Sequence, residues 1–182
     1  DRVTAGRQAK GGCQHWCTPP KYTEAARTAL GGVIELDPCS NRHSIVGASR
    51  SYALPVDGLC EPWDASTIYV NPPYGRAHEV RPGRKKPTTI ADWLRLCADA
   101  AARGSEVVAL IPVASNTRHW KDSVWPCAAA IAFLYDTRLR FLVDGSTDNK
   151  GAPMACCAVY WGTNTKRFAA AFEAHGFVVP LR

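Results

Sequence analysis

The sequence has no apolar run near the roughly 18 residues that a membrane-spanning helix needs, and Asp1 to Gly12 contain no apolar signal-peptide centre. Both absences point to a soluble, cytoplasmic protein. No second cysteine pair stands at zinc-finger spacing beside Cys13 and Cys17, which flank His15, so no metal is expected. Eight cysteines are present, yet a chain of 182 residues with 46% hydrophobic content can fill a core without a disulfide framework. Cys97, Cys127, Cys156 and Cys157 fall in apolar helix or strand patterns, where a thiol behaves as a small hydrophobe, and are expected reduced and buried.

What is abundant is positive charge. Lys and Arg outnumber Asp and Glu by 22 to 16, a net charge of +6, which favours a polyanionic partner without naming one. The length suits a single domain over residues 13–182, preceded by a polar arm over residues 1–12.

Helical spacing of Tyr22, Ala25, Ala26, Ala29 and Leu30 after Pro19-Pro20 predicts a first helix, with Thr18 a possible cap. Val33 to Asp37 and Thr67 to Asn71 are β-rich runs cut off by Pro38 and Pro72. Little periodicity lies between them, and a short helix is expected near Ser44 to Ser49. An amphipathic helix over Ile90 to Arg103, a buried strand over Glu106 to Pro112 and a helix near Asn116 to Trp125 follow. Ala129 to Tyr135, Leu139 to Val143 and Met154 to Trp161 read as strands, Thr165 to His175 as a helix, and Phe177 to Val179 as an edge strand. The alternation predicts an α/β fold, a mostly parallel sheet with helices on both faces and an antiparallel hairpin at its C-terminal end. Such sheets bind ligands beyond the carboxyl ends of their strands, where Asp37, Asn71 and Pro112 would lie.

Asn71-Pro72-Pro73-Tyr74 closes one of these strands. An exocyclic aromatic amine is a weak nucleophile because its lone pair is delocalised into the ring. Two acceptors, the Asn71 side-chain oxygen and the Pro72 carbonyl, would each take an amine hydrogen and aim the lone pair outward. The prolines stiffen the turn and lack amide hydrogens, and Tyr74 offers a face on which an unstacked base regains roughly 1–3 kcal/mol.

This motif does not stand alone. Trp16-x-Thr18-Pro19, Glu35-Leu36-Asp37-Pro38-Cys39-Ser40-Asn41, Asp57-Gly58-Leu59 with Trp63, and Asn71-Pro72-Pro73-Tyr74-Gly75 occur in one order. Together they resemble the phage-type DNA N6-adenine methyltransferase family over about Trp16 to Val179, with Leu110-Ile111-Pro112 and Arg138-Leu139-Arg140-Phe141 as further likenesses. The resemblance implies a Rossmann-like class I methyltransferase that transfers methyl from S-adenosylmethionine to adenine N6 in DNA, in a bacterial host or phage-infected cell. It places Asn71, Pro72 and Tyr74 in catalysis. It places Thr18 and Pro19 near the methionine end of the cofactor, Asp37, Pro38, Cys39 and Ser40 as its floor, Asp57 at its adenine, and Trp16 and Asn71 also in contact with it. A carboxylate at Asp37 can pair with the cofactor ammonium or accept from ribose hydroxyls.

The chain departs from common methyltransferase patterns. Pro38-Cys39-Ser40-Asn41 replaces a glycine-rich turn, and the acidic group expected on ribose is not identified, Asp64 and Glu61 being candidates. Without a separate target-recognition domain, DNA contacts would fall to loops: Pro73, Tyr74, Arg76, Arg81, Arg84, Lys85 and Lys86, with Arg138, Arg140 and Lys150 as a second wall. The alternatives are an RNA or protein (glutamine) N-methyltransferase, or a catalytically silent DNA-binding module of the same fold.

Overall fold

The computed structural model describes residues 16–74, 87–136, 142–143, 146–147 and 154–182. In chain order the elements are β1 (Trp16–Cys17), α1 (Pro20–Ala29), β2 (Leu36–Asp37), β3 (Arg50–Ser51), β4 (Thr67–Val70), α2 (Ile90–Ala102) and β5 (Glu106–Pro112). A π-helix (Trp120–Val124) is followed by β6 (Ala130–Leu134), β7 (Leu142–Val143), β8 (Ser146–Thr147), β9 (Cys156–Trp161), α3 (Thr165–Phe172) and β10 (Gly176–Pro180).

Seven strands form one sheet in the order β10-β6-β9-β5-β4-β2-β3, and β1, β7 and β8 form a second, three-stranded sheet. Apolar residues of α1 and α3, among them Ala26, Ala29, Phe168 and Phe172, cluster against one face of the large sheet through Tyr69, Val108 and Ala158. Trp93, Leu94 and Cys97 of α2 and Trp120 of the π-helix cluster with Ile68, Val70 and Val107 on the other. Alternate residues of a strand point to opposite faces, so β4 and β5 each feed both clusters. The expected helices on both faces are present.

Parallel pairing is confined to half of the sheet. β2–β3, β2–β4 and β4–β5 are parallel, whereas β5–β9, β6–β9 and β6–β10 are antiparallel. Five strands, β2 to β6, therefore run one way, while β9 and β10 run against them, so the sheet is mixed. β9 starts at Cys156, level with Pro112 at the end of β5, and must run back down the sheet. The expected strand over Leu139 to Val143 survives as β7, which pairs with β1 and β8 instead of joining the large sheet.

No helix forms near Ser44 to Ser49. Asn41 Oδ1 accepts the His43 N–H at 2.8 Å and Ser44 Oγ accepts that of Val46 at 3.3 Å, local bonds that compete with a helical ladder. Cys97, Cys156 and Cys157 are buried thiols as expected, but Cys127 is exposed, in the turn between the π-helix and β6. Among the described residues, no helix is long and apolar enough to cross a membrane.

Candidate active site

Strand register decides what gathers at the carboxyl rim. Leu36 of β2 pairs with Ile68 of β4, and both side chains enter the cluster beneath α2. One residue further along each strand the side chains turn to the opposite face, which puts Asp37 beside Tyr69 on the side of α1. Asn71, two residues beyond Tyr69, follows on the same side.

α1 delivers Thr18 to this point. Its N-cap is Pro19 and no side chain caps it, so the Thr18 hydroxyl is not a helix cap. That hydroxyl lies 2.5 Å from the Tyr69 hydroxyl in a buried contact, and the Asn71 Nδ2 donates to Thr18 Oγ1 at 3.2 Å. With the amide nitrogen engaged, Asn71 Oδ1 is the end left for a ligand. Among the described residues no donor is bonded to it. Thr18, Asp37, Cys39, Ser40, Tyr69 and Asn71 line one pocket, completed by Cys17 and by Asn41 and residues 44–46 of the following loop.

Asp37 is 3% exposed. Its Oδ1 accepts the Cys39 N–H at 3.1 Å, and the Ser44 hydroxyl stands 3.5 Å from Oδ2. Burial pushes its carboxyl up to about 6, against the opposing pull of the Cys39, Ser40 and Ser44 donors. None of those partners is a cation, so among the described residues the buried carboxyl at the floor of the pocket has no counter-charge.

The loop carrying Asp57 is packed directly onto the end of β2. A Cβ on Gly58 would stand 1.8 Å from the Pro38 carbonyl oxygen, and Trp63 Nε1 donates to the Gly58 carbonyl at 2.8 Å. Only glycine permits this approach. Gly58→Ala is expected to cost about 1–3 kcal/mol, as overpacking against an unyielding backbone does; a urea midpoint equal to wild type would contradict that close packing. Asp57 uses Oδ1 to accept the Leu59 N–H at 3.0 Å. It is half-buried and is not among the residues lining the pocket.

Asp64 lies away from the pocket. It lies three residues before β4, at the amino end of the sheet, where it forms an exposed ion pair with Arg50 at 2.5 Å. Glu61 is exposed and outside the pocket lining.

In the turn itself Pro72 is buried, Pro73 exposed and Tyr74 half-buried. The Tyr74 hydroxyl donates to the Leu110 carbonyl at 3.2 Å, and its ring packs against both apolar clusters. It also neighbours Cys156, whose thiol burial pushes up to about 12. Tyr74 is therefore tethered at its hydroxyl end. For Trp16 the structure describes the backbone alone, paired with Val143. Arg76, Arg81, Arg84, Lys85, Lys86, Arg138, Arg140 and Lys150 lie outside the described residues.

A family model described as DNA N-6-adenine-methyltransferase (Dam) matches residues 7–170. The chain belongs to this family. No curated protein and no solved structure matches it. The Dam match spans every pocket residue named above, including several that sequence reasoning did not single out. Tyr69 had a signal, since period two counted back from Asn71 puts it on the same face. Ser44, Ile45 and Val46 had none, because an irregular loop has no periodicity to read.

Proposed function

We propose that this chain transfers methyl from S-adenosylmethionine to the N6 amine of adenine in DNA, using a Rossmann-like half-sheet as its platform. The observation that carries this reading is the pairing of two features in one pocket: a buried carboxylate with no counter-cation among the described residues, and an asparagine amide whose oxygen is turned away from its own protein partner.

The pocket residues fit such a cofactor. S-adenosylmethionine carries a sulfonium, which supplies the methyl group, and an ammonium. Asp37 would pair with the positive charge, which removes the cost of burying an unpartnered carboxylate. Thr18, Cys39 and Ser40 would border the same molecule, with Trp16, Pro19 and Pro38 shaping the backbone around it. Asp57, held by Gly58 against Pro38, would accept from the cofactor's adenine amine beyond the pocket lining.

Asn71 Oδ1 and the Pro72 carbonyl would each accept one hydrogen of the target amine, localising its lone pair for in-line attack on the methyl carbon. That nitrogen would take the methyl carbon as its bond to sulfur breaks, the donor would leave as a neutral thioether, and the amine proton would pass to water. No covalent enzyme intermediate and no metal is required. Tyr74 would stack on a base withdrawn from the helix, held by its Leu110 tether. Pro73, Arg76, Arg81, Arg84, Lys85, Lys86, Arg138 and Arg140 would meet the DNA, most of them through phosphates.

The test is transfer of labelled methyl from S-adenosylmethionine into unmethylated DNA, RNA and protein offered separately, with the product base identified by mass spectrometry. N6-methyladenine in DNA is expected. Label confined to RNA or protein would move the activity to a different planar amine or amide. No heat of binding with S-adenosylhomocysteine at millimolar concentration would overturn the cofactor assignment.

A further inference from the structure

We infer that Tyr69 is a positioning residue for the transfer step, acting through the Thr18 hydroxyl on the side-chain amide of Asn71. The inference rests on the reading of Asn71 as acceptor of the target amine.

Three side chains from two distant segments form a chain of hydrogen bonds inside the pocket: Tyr69 OH to Thr18 Oγ1 at 2.5 Å, and Asn71 Nδ2 to Thr18 Oγ1 at 3.2 Å. An asparagine amide has a donor end and an acceptor end of nearly the same shape, and only a fixed partner decides which faces a ligand. Here Thr18 is that partner, and it engages the nitrogen.

Thr18 is itself open to competition. It stands one residue before the Pro19 N-cap of α1, where the first-turn N–H groups would donate to a threonine hydroxyl oxygen as a cap. Tyr69 prevents this. Its side chain is 2% exposed, is fixed by packing on the α1 side of β4, and presents a hydroxyl that draws the Thr18 hydroxyl toward Asn71. With Asn71 donating to it, Thr18 Oγ1 has one lone pair and its own hydrogen left for Tyr69, so either hydroxyl can donate in the short contact. Without the Tyr69 hydroxyl, a buried Thr18 oxygen would find its second partner in the helix end, and the Asn71 amide would lose its anchor.

The experiment measures the single-turnover methylation rate of unmethylated DNA at saturating cofactor, with cofactor affinity determined separately by calorimetry. Tyr69→Phe removes only the hydroxyl and is expected to slow transfer roughly tenfold, the worth of about one hydrogen bond, with affinity for S-adenosylhomocysteine changed less than threefold. Thr18→Val should slow it at least as much, Thr18→Ser should retain most of the rate, and the Tyr69→Phe/Thr18→Val double variant should be no slower than Thr18→Val alone. A wild-type rate for Tyr69→Phe, or losses that simply multiply in the double variant, would overturn the inference. Asn71→Ala run in parallel separates the two failures. If it is inactive while Tyr69→Phe is fully active, the relay alone is wrong; if it is fully active, the acceptor reading falls and the relay with it.

Discussion

Asn71→Ala is expected to bind cofactor as the wild type does and to transfer methyl to DNA roughly 10²–10³ times more slowly, the cost of removing one preorganised polar group at a reacting centre. The two halves of this expectation come from different atoms of one side chain. Nδ2 is spent on Thr18, and losing that bond costs the fold about 1 kcal/mol at most, since Thr18 retains Tyr69 as a partner. Oδ1 faces away from that bond, and losing it removes one of two acceptors that localise the amine lone pair. The variant should therefore melt within a few degrees of wild type by circular dichroism and show a near-normal heat of binding with S-adenosylhomocysteine. Its defect should appear in single-turnover transfer. Wild-type transfer would sink the acceptor mechanism, and lost cofactor binding would show that Asn71 serves the cofactor more than the amine.

The contrast between the turn and its surroundings explains what the sequence could and could not reveal. β5 was legible because Val107 to Ile111 are fully apolar, as a strand covered on both faces must be. α2 and α3 were legible from helical spacing. The direction of β9 was not legible, since the residue pattern of a buried strand is the same whether it runs up or down the sheet. Direction follows from where the chain leaves β6 and where it re-enters at Cys156, a property of topology with no local signature. The site shows the same division. Asp37, Asn71 and Thr18 could be singled out because a polar residue at the end of an apolar run, or beside a proline turn, stands out from its neighbours. That Thr18 serves Tyr69 and Asn71 instead of capping α1 is a fact of three-dimensional contact. The role of Gly58 likewise depends on Pro38, twenty residues earlier, whose carbonyl occupies the place of a side chain.

Asp37→Asn is expected to make the protein more stable at pH 8 and to weaken cofactor binding roughly a hundredfold. The carboxyl titrates near 6 in the folded chain against 3.8 as its ordinary value. A raised pKa means that the folded state prefers the protonated form. The stabilisation from this preference is fully present below about pH 3.8 and is lost as pH rises through about 6. Between these limits the preference is worth on the order of 3 kcal/mol. Asparagine stays neutral and can still accept the Cys39 N–H, so the variant should escape the high-pH loss. Its Tm advantage should be several degrees at pH 8 and close to nothing at pH 4. Binding reverses the sign. A cationic ligand needs the ionised carboxylate, so wild-type affinity should weaken up to tenfold per unit as pH falls below about 6, while the asparagine variant should be weak and nearly flat over the same range. Calorimetric titration with S-adenosylhomocysteine between pH 5 and 8 measures both. A flat wild-type profile would remove Asp37 from any charge pairing with the cofactor, and an asparagine variant no more stable than wild type at pH 8 would mean that the buried carboxylate already has a counter-charge.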